Sequence, residues 1–512
     1  MLSPLEADMS VLGWTALVIA VFLAAVVVYD LTQTRRAILR NFPIVGHFRY
    51  WIEKIGPELR QYIVAGNDEE RPFSRDQRRW VYASAKKENN YFGFGTDNDF
   101  ERTPNYLIVK HATFPRPDAA DDPAHMVPCA KVWGAARQRR LAFRPASVVY
   151  VSAMSYGSLS PNAIEALNRG VKLAHALHNT GEGGVSPWHA KGGDLIYQLG
   201  TGYFGARTPD GRFDLEALKA QVARHPIRAI EIKLSQGAKP GRGGVLPAAK
   251  VSAVIAQIRA VPMGKDVVSP PAHSAFGNAD ELLDFVERVA DATGLPVGIK
   301  SAVGEEGFWR ELAHLMESGT RGVDYIQIDG GEGGTGAAPL VFSDHVALPF
   351  KLGFSRVYRI FAERGLSERI VWVGSGRLGF PIEAAFAMAL GCDLVAVARE
   401  AMMSIGCIQA QKCHTDHCPT GVATQNAWLM RGLDPTDKSA RLANYLMTLR
   451  KELMWIVHAT GKQHPYELTL DDFEILGADF TARGAREAFG YASEWRRPVA
   501  ARAAEVIALM PK

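Results

Sequence analysis

Three of the five cysteines in the chain, Cys407, Cys413 and Cys418, lie close together in one stretch, and a proline follows the last of them. Iron–sulfur clusters are bound by cysteine thiolates at varied loop spacings and are often closed by a Cys-Pro pair, so three thiols indicate a three-iron cluster. Zinc sites prefer cysteine pairs two to four residues apart, and His414 and His417 improve this alternative only in part. Thiols without a metal are the remaining alternative.

Two lysines end short apolar, strand-like runs. Lys300 closes "LPVGIKSA", where burying an ammonium is costly unless an anion or polar group faces it. Lys233 lies likewise in "AIEIKLSQG", and Gln236 and Lys239 follow in its loop. We therefore expect a site for a polar or anionic ligand here. A surface lysine that extends into solvent is the alternative for Lys300.

Two glycine-rich loops, "DGGEGGTGAAP" and "GSGRLG", follow later apolar runs. Because glycines carry no side chains, several backbone N–H groups of these loops can face an anion. In barrels built of parallel strands and helices, the loops after the last strands commonly hold a phosphate. The residues concerned are Gly331, Gly333, Gly334, Gly336, Gly374 and Gly376, with Arg377 as a cation beside them. The G-x-G-x-x-G match lacks the helix start and the acidic residue of a dinucleotide-binding fold, so we predict no such fold. Tight turns alone are the alternative.

Eight apolar, β-rich runs alternate with helical patterns over residues 146–430. They begin near residues 147, 175, 195, 229, 295, 324, 369 and 392. Strands that are apolar on both faces and alternate with helices imply a parallel sheet. Eight such units match the size of a (β/α)8 TIM barrel, whose active site lies at the ends of its strands. A doubly wound open sheet is the alternative.

The run from Val11 to Tyr29 carries no charge and is about long enough to cross a ~30 Å hydrocarbon layer. Acidic residues precede it, which argues against the alternative, a cleaved signal peptide. Arg35, Arg36 and Arg40 follow it, so the positive-inside tendency places the rest of the chain in the cytoplasm. We expect a single-pass anchor in the inner membrane at 11–29, an irregular cap over 30–145, the barrel over 146–430 with its cysteine loop at 406–419, and a helical extension over 431–512.

The charge balance excludes one class of function. The 58 basic and 54 acidic residues give a net charge of +4, and the basic residues form no stripe with interleaved aromatics. We therefore predict no nucleic-acid binding. The hydrophobic share of 47% is ordinary for a globular protein.

Several stretches together resemble the FMN-binding synthase domain of glutamate synthases over about residues 125–430. They are "SAMSYGSLSPNAIEAL", "NTGEGG", "IKLSQGAKPGRGGVLP", "SPPAH", "GGTGAAPL" and "CIQAQKCHTDHCPTGVATQ". The resemblance implies a (β/α)8 barrel with FMN and a [3Fe–4S] cluster on the three cysteines. It further implies that electrons pass through the cluster to FMN, which reduces 2-iminoglutarate, formed from 2-oxoglutarate and ammonia, to glutamate.

The resemblance also implies roles for individual residues. FMN would contact Met154, Ser155, Gly157, Lys300, Thr335 and the glycines of the two late loops, with Lys300 at the N1/C2-carbonyl edge of the flavin. The keto acid would face Glu182, Lys233, Gln236 and Lys239, with the lysines on its carboxylates and Glu182 assisting proton transfer at the imine.

Two departures from the family pattern bear on the substrate. Tyr203 in "TGYFG" stands where the family has an arginine for the substrate carboxylate, and a phenol cannot replace a bidentate guanidinium. Arg207 or Arg242 would have to compensate. We expect no glutamine hydrolysis, because the family's amidotransferase part, with its processed N-terminal cysteine, has no counterpart here.

The leading hypothesis is a membrane-anchored oxidoreductase of the glutamate synthase type, with ferredoxin or a membrane carrier as electron donor. One alternative keeps the flavin barrel but makes it an amino-acid-linked dehydrogenase or transferase that exchanges electrons with a membrane carrier. A second alternative is a non-catalytic barrel that serves as a membrane scaffold.

Overall fold

The structure is a computed structural model that describes residues 4–62, 70–91, 93–117 and 122–510. Parts of the predicted cap, at 63–69, 92 and 118–121, and the end of the predicted extension, at 511–512, lie outside the described residues.

The N-terminal part of the chain holds four helices and one strand before the barrel begins. They are α1 (Pro4–Thr32), α2 (Ala37–Asn41), α3 (Val45–Tyr62), α4 (Arg75–Lys86) and β1 (Tyr106–Val109). Within α1, the 22-residue segment Val11–Thr32 contains an 18-residue window with a mean hydropathy of 2.7, and none of that window is buried by the rest of the chain. Asp30, near the end of the segment, is buried. By length and composition this helix could cross a membrane, and a signal sequence would have the same properties. The anchor stays a prediction.

Eight parallel strands close into a barrel in the middle of the chain. A separate antiparallel pair, β6 and β7, is inserted after the fourth barrel strand. In chain order the strands are β2 (Val149–Val151), β3 (His178–Asn179), β4 (Leu195–Leu199), β5 (Ile227–Lys233), β6 (Val245–Leu246), β7 (Val267–Val268), β8 (Val297–Ser301), β9 (Tyr325–Asp329), β10 (Val371–Ser375) and β11 (Leu394–Val397). The barrel closes where β11 pairs with β2. The predicted (β/α)8 barrel is therefore confirmed, and the open sheet is excluded.

Helices follow the barrel strands and cover the outside of the barrel. They are α5 (Pro161–Leu173), α6 (Leu215–Arg224), α7 (Ala253–Arg259), α8 (Ala279–Thr293), α9 (Gly307–Met316), α10 (Leu340–His345), α11 (Phe350–Ala362), α12 (Pro381–Leu390) and α13 (Arg399–Ser404). The sequence signals at α8 are typical: the Asn278 side chain accepts a hydrogen bond from Glu281 N, and Gly294 ends the helix at a φ of 75°.

The end of the barrel where its strands begin is closed by the segment that precedes β2. The Trp133 ring stacks on Tyr325 at a centroid distance of 4.3 Å and also packs against Phe143. Trp133 and Tyr325 are fully buried. Because this end is filled by aromatic side chains, access to the barrel is from the ends of the strands, where the sequence placed the site.

The C-terminal extension contains strands as well as the predicted helices. Its elements are α14 (Ala427–Met430), α15 (Pro435–Ala459), β12 (Phe473–Leu476), β13 (Ala482–Gly484), α16 (Ala485–Ala488) and α17 (Ala500–Ala508). β12 pairs antiparallel with both β1 and β13. The sequence analysis did not predict these strands, because they are only three to four residues long and β12 pairs with a segment from the opposite end of the chain.

Candidate active site

A cavity of about 1240 Å³, part of it open to solvent, lies at the carboxyl ends of the barrel strands. It brings together many of the residues that the sequence singled out: Met154, Ser155, Glu182, Lys233, Gln236, Lys239, Lys300, Gly334, Thr335, Gly336 and Cys413. Most of these residues follow different strands, and only the closed barrel brings them to one place.

Glu182 and Lys233 form an ion pair inside this cavity. Glu182 follows β3, Lys233 ends β5, and Lys233 Nζ lies 3.2 Å from Glu182 Oε2 with both side chains largely buried. Burial acts to raise the pKa of Glu182, but the charges of Lys233 and Lys239 outweigh it and hold the pKa below its usual value. Glu182 is therefore a carboxylate at neutral pH.

The loop after β5 supplies two more polar side chains. Gln236 accepts a hydrogen bond from Lys233 Nζ at 3.2 Å and donates to the carbonyl of Gly334 at 3.3 Å, so it joins this loop to the glycine loop after β9. Lys239 is buried and donates to the carbonyl of Gly243 at 3.2 Å. Burial and the charge of Lys233 lower the pKa of Lys239 to about 8. Nearby negative charge therefore compensates only in part for the burial of the Lys239 ammonium.

Lys300 is buried at the end of β8 and is paired with a carboxylate that the sequence analysis did not name. Its Nζ lies 3.6 Å from Asp329 Oδ2 at the end of β9. Asp329 also accepts hydrogen bonds from Gly237 N at 2.9 Å and Ser375 Oγ at 2.6 Å. Burial acts to raise the pKa of Asp329, but the charge of Lys300 and the Ser375 hydrogen bond lower it. Lys300 is thus a fixed cation in the cavity wall, and the alternative of a lysine in solvent is excluded.

The turn after β2 contributes Met154 and Ser155 to the cavity, whereas Gly157 lies beside it. Gly157 has a φ of 104°, and a Cβ atom there would lie 3.2 Å from the guanidinium of Arg259. The glycine therefore leaves room for a cation that does line the cavity.

Some glycines of the two glycine-rich loops line the cavity, and others are used within the fold. Gly334 and Gly336 line the cavity with Thr335 between them. Gly331 and Gly333 do not line it, and their N–H groups donate to the carbonyls of Leu348 and Gly330, both at 2.9 Å. These two N–H groups are therefore used within the fold.

Gly374, Gly376 and Arg377 also lie outside the cavity lining. A Cβ atom on Gly374 would lie 2.7 Å from the ring of Phe350, so close packing requires glycine there. Arg377 faces the N-terminal part of the chain, where it donates to Gln77 Oε1 at 3.2 Å and lies over the Phe73 ring. Their predicted contact with a phosphate stays a prediction.

All three clustered cysteines line a second cavity, of about 1640 Å³ and part open to solvent, which adjoins the first. Cys413 and the segment Gly334–Gly336 line both cavities. Burial, and then the neighbouring Cys413 and Cys418, raise the pKa of the Cys407 thiol to about 12. Within the described ranges no group of three or more His, Cys, Asp or Glu side chains is arranged to hold a metal ion. The thiols share a cavity, and the cluster stays a prediction.

Arg259 is a cavity residue that the sequence analysis missed. It ends α7, is 5% exposed, and donates from Nη2 to the carbonyl of Tyr156 at 3.0 Å. Its Nε has no hydrogen-bond partner among the described residues. Burial lowers its pKa to about 10, and only the charge of Glu182 opposes this shift. A buried guanidinium with so little compensation would be stabilised by an anion that entered the cavity.

Tyr203 has a supporting role behind the cavity. It is fully buried, and its hydroxyl donates to His273 Nδ1 at 3.0 Å, while His273 Nε2 donates to the carbonyl of Lys233 at 2.9 Å. The tyrosine thus fixes the end of β5. Arg207 does not line either cavity, and Arg242 lines the cysteine cavity only. Among Arg207, Arg242 and Arg259, only Arg259 lines the first cavity.

Comparison with known proteins shows the class to which this barrel and site belong. The family model described as the conserved region in glutamate synthase matches residues 134–463. The chain therefore belongs to the glutamate synthase family and is an oxidoreductase.

Among its relatives is the glutamate synthase large subunit-like protein YerD of Bacillus subtilis, which is 38% identical over 89% of this chain and 92% of its own length. The archaeal-type glutamate synthase [NADPH] of Thermotoga maritima is 35% identical over 61% of this chain and 59% of its own length. The chloroplastic ferredoxin-dependent glutamate synthase of rice is 32% identical, and the chain spans 20% of that protein. The chain thus corresponds to only part of the latter two relatives.

Solved structures with similar folds include mandelate oxidase with (S)-4-hydroxymandelic acid, at 15% identity and a TM-score of 0.41 over 72% of this chain and 85% of that one. A flavocytochrome b2 double mutant with pyruvate bound has 14% identity and a TM-score of 0.42 over 82% and 91% of the two chains. Similarity at this level supports no conclusion beyond the barrel that the chain itself shows.

Proposed function

We propose that this oxidoreductase reductively aminates 2-oxoglutarate, or a related keto acid, with ammonia, as a glutamate synthase does. The observation that carries the proposal is the set of charges around Glu182: Lys233 lies 3.2 Å away, and the buried Lys239 and Arg259 line the same cavity. Three cations around one carboxylate leave an excess of positive charge, which a dicarboxylate substrate would neutralise.

The ionised Glu182 suits the chemistry of an imine. When ammonia adds to the keto carbon and water leaves, a proton must move from the nitrogen to the leaving oxygen. A carboxylate close to both atoms can carry that proton, and it then stabilises the positive charge of the protonated imine. Lys233 keeps Glu182 ionised for this step, and Tyr203 holds the end of the strand that carries Lys233.

The cavity fits a flavin in two respects. Lys300 presents a buried, fixed cation at the wall, and Gly334 to Gly336 present a bare backbone beside it. FMN held by Met154, Ser155, Lys300 and this loop would supply the hydride that the imine accepts. Arg399 is a further cation that lines the cavity and that the sequence analysis did not name.

We infer a redox centre that exchanges electrons with such a flavin from the three thiols that share the adjoining cavity. A Cβ atom on Gly336 would lie 3.2 Å from Cys413 Cβ, so the glycine loop and the cysteine loop are in contact. A [3Fe–4S] cluster on Cys407, Cys413 and Cys418 would supply single-electron transfer next to the first cavity. Ligation would have to displace the thiol protons, whose loss burial opposes.

We further propose that α1 anchors the chain in the inner membrane, with the barrel in the cytoplasm and ferredoxin or a membrane carrier as electron donor. The support is the segment Val11–Thr32, whose 18-residue apolar window is not buried by the rest of the chain, and the arginines that follow it. This helix also favours the second candidate function, a flavin-dependent amino-acid dehydrogenase or transferase that exchanges electrons with a membrane carrier.

An assay of the purified full chain with 2-oxoglutarate, ammonia and reduced ferredoxin tests the proposal. We expect glutamate to form, and we expect Lys233→Gln to lower kcat/KM by roughly 10²-fold or more because Glu182 loses its partner. Lys219→Gln, on the exposed surface of α6, is the matched control and should leave kcat/KM unchanged. Reduction of the flavin by an amino acid, without formation of glutamate from 2-oxoglutarate, would instead support the dehydrogenase.

A further inference from the structure

A large cavity outside the active site lies between the end of α1, helix α3 and the cysteine loop. It encloses about 2320 Å³, part of it open to solvent. Arg35 and Arg36, which directly follow α1, line one side, and Trp51 of α3 lines another. Ile408 and Thr420, which also line the cysteine cavity, line a third side.

The base of α1 is fixed to the rest of the protein at this cavity. Asp30, in the last turns of α1, is fully buried and accepts hydrogen bonds from Ile44 N at 2.9 Å and His47 Nε2 at 2.8 Å. From α15, Lys438 and Arg441 donate to the carbonyl of Arg35 at 3.2 Å and 2.9 Å. A helix that crossed a membrane here would hold the cavity at the surface of that membrane.

The cavity is strongly positive. Seven lysines and arginines and only two glutamates are among the described residues that line it. Lys438 is almost fully buried, and burial together with the charge of Arg441 lowers its pKa to about 8, although Asp437 lies 2.9 Å away. Such an excess of positive charge favours an anionic ligand over a neutral or cationic one.

The rim of the cavity is apolar where it would face a membrane. Helix α3 exposes Val45, Phe48, Trp51 and Ile52, and their side chains are between 46% and 75% exposed. Phe48 and Trp51 also line the cavity. A helix with charged and large apolar side chains of this kind is typical of one that lies in the membrane interface.

We propose that this cavity binds the headgroup of an anionic phospholipid. The phosphate would lie among the basic side chains, and the acyl chains would extend along α1 and the exposed apolar face of α3. The proposal rests on the membrane anchor that forms part of the proposed function. Tyr82 lines the cavity and donates to the carbonyl of Cys407 at 2.9 Å, so the bound lipid would lie against the element that carries the cysteines.

Quenching of tryptophan fluorescence by brominated lipids tests this proposal. The full chain is reconstituted into phosphatidylcholine vesicles that contain a minor fraction of either brominated phosphatidylglycerol or brominated phosphatidylcholine. The fluorescence of Trp51 is obtained by subtracting the fluorescence of the Trp51→Phe variant from that of the wild type. We expect the phosphatidylglycerol to quench this fluorescence severalfold more strongly, because the cavity concentrates the anionic lipid around Trp51.

Two double substitutions distinguish lipid binding in the cavity from a general attraction of basic residues to anionic membranes. Arg36→Gln with Lys54→Gln removes two cations from the cavity and should abolish the excess quenching. Lys87→Gln with Arg212→Gln removes two exposed cations outside it and should preserve the excess. Equal quenching by the two lipids, or an excess that survives the cavity substitutions, would overturn the proposal.

Two further measurements keep the proposal testable. One applies if a variant folds poorly, and the other applies if the membrane anchor is wrong. Lipid that copurifies with the wild-type chain in neutral detergent should be enriched in anionic phospholipid over the source membrane, and an unchanged composition would contradict the proposal. Flotation tests the anchor alone. A chain that floats with both vesicle types but lacks the excess quenching refutes only the lipid site, whereas a chain that floats with neither refutes the anchor as well.

Discussion

Arg259, Lys233 and Lys239 differ in how they are held, and this difference assigns them different tasks. Lys233 is paired with Glu182 and tunes that carboxylate. Among the described residues, Arg259 Nε has no hydrogen-bond partner and Lys239 Nζ donates to a single backbone carbonyl. We therefore assign binding of the substrate carboxylates to Arg259 and Lys239, and control of proton transfer to Lys233 and Glu182.

Substitution of Arg259 should affect substrate binding more than turnover. Arg259→Gln removes a charged hydrogen-bond donor worth roughly 1.5–3 kcal/mol, so we expect KM for 2-oxoglutarate to rise by about 10- to 100-fold with a smaller change in kcat. Steady-state kinetics measure both values. Arg224→Gln, on the exposed end of α6, is the control. An unchanged KM in Arg259→Gln would show that the guanidinium has only a structural role.

The pKa of Lys239 predicts a pH dependence with a definite sign. Below a pKa of about 8 the ammonium is charged and attracts the keto acid, and above it the neutral amine does not. We expect kcat/KM to fall as the pH rises through about 8, with kcat less affected because bound substrate stabilises the charged form. Lys239→Arg keeps its charge and should move the decline to higher pH. A profile identical in both proteins would contradict this role.

At this scale the sequence could predict residues at strand ends, because a barrel brings all its strand ends to one mouth. Lys233 and Lys300 were predicted in this way, whereas Glu182 was named only through the family resemblance; all three line the cavity. Arg259 was missed because it lies on α7, in the long connection between β5 and β8, where no local pattern marks a cavity residue. The available signal was an arginine at the end of a mostly apolar helix.

At the scale of elements, the site depends on close contact between the loops after β5 and β9. A Cβ atom on Gly237 would lie 1.9 Å from the carbonyl oxygen of Gly330, so the two backbones touch. Gly237→Ala should force them apart and lower the free energy of unfolding by about 1–3 kcal/mol or more. Chemical denaturation measures this change. Gly304→Ala, where a Cβ atom meets nothing within 4 Å, should differ little from wild type.

The cysteine loop is the element in which sequence and structure differ most. The spacing indicated a three-iron cluster, whereas the described side chains share a cavity without being arranged for a metal. We expect the anaerobically purified protein to contain iron and sulfide, and Cys413→Ser to lose both. Cys129→Ser, at a buried cysteine remote from the loop, should retain them. Iron content that is absent from wild type, or equal in the two variants, would refute the cluster.

Seven of the eight barrel strands carry their own apolar pattern, flanked by turn residues, and could be predicted from it, whereas β3 consists only of His178 and Asn179. The sheet of β1, β12 and β13 could not, since its pairing joins Tyr106–Val109 to Phe473–Leu476 and no local pattern encodes so distant a contact. The contacts of Asn41 in α2 could not be predicted for the same reason, because they join distant parts of the chain. Its side chain donates to the carbonyls of Pro419 and Leu429, both at 2.9 Å.

At the scale of the whole molecule, α1 and its base tie the cysteine loop to a predicted membrane surface. We expect the full chain to sediment with membranes and to resist extraction by high salt, because an apolar helix holds it rather than surface charge. A variant that lacks residues 1–32 should be released into the soluble fraction. Recovery of the full chain in the soluble fraction, or its release by salt alone, would contradict the anchor.

The central claim is that a flavin at the mouth of the barrel reduces an imine formed from a keto acid. An anaerobic visible spectrum tests it most directly: the purified chain is reduced with dithionite, the excess is removed, and 2-oxoglutarate and ammonia are added together. We predict that flavin absorbance is present, is bleached by the reductant, and returns only when both substrates are present. A colourless protein, or a bleached flavin whose absorbance does not return when 2-oxoglutarate and ammonia are added together, would contradict this reaction.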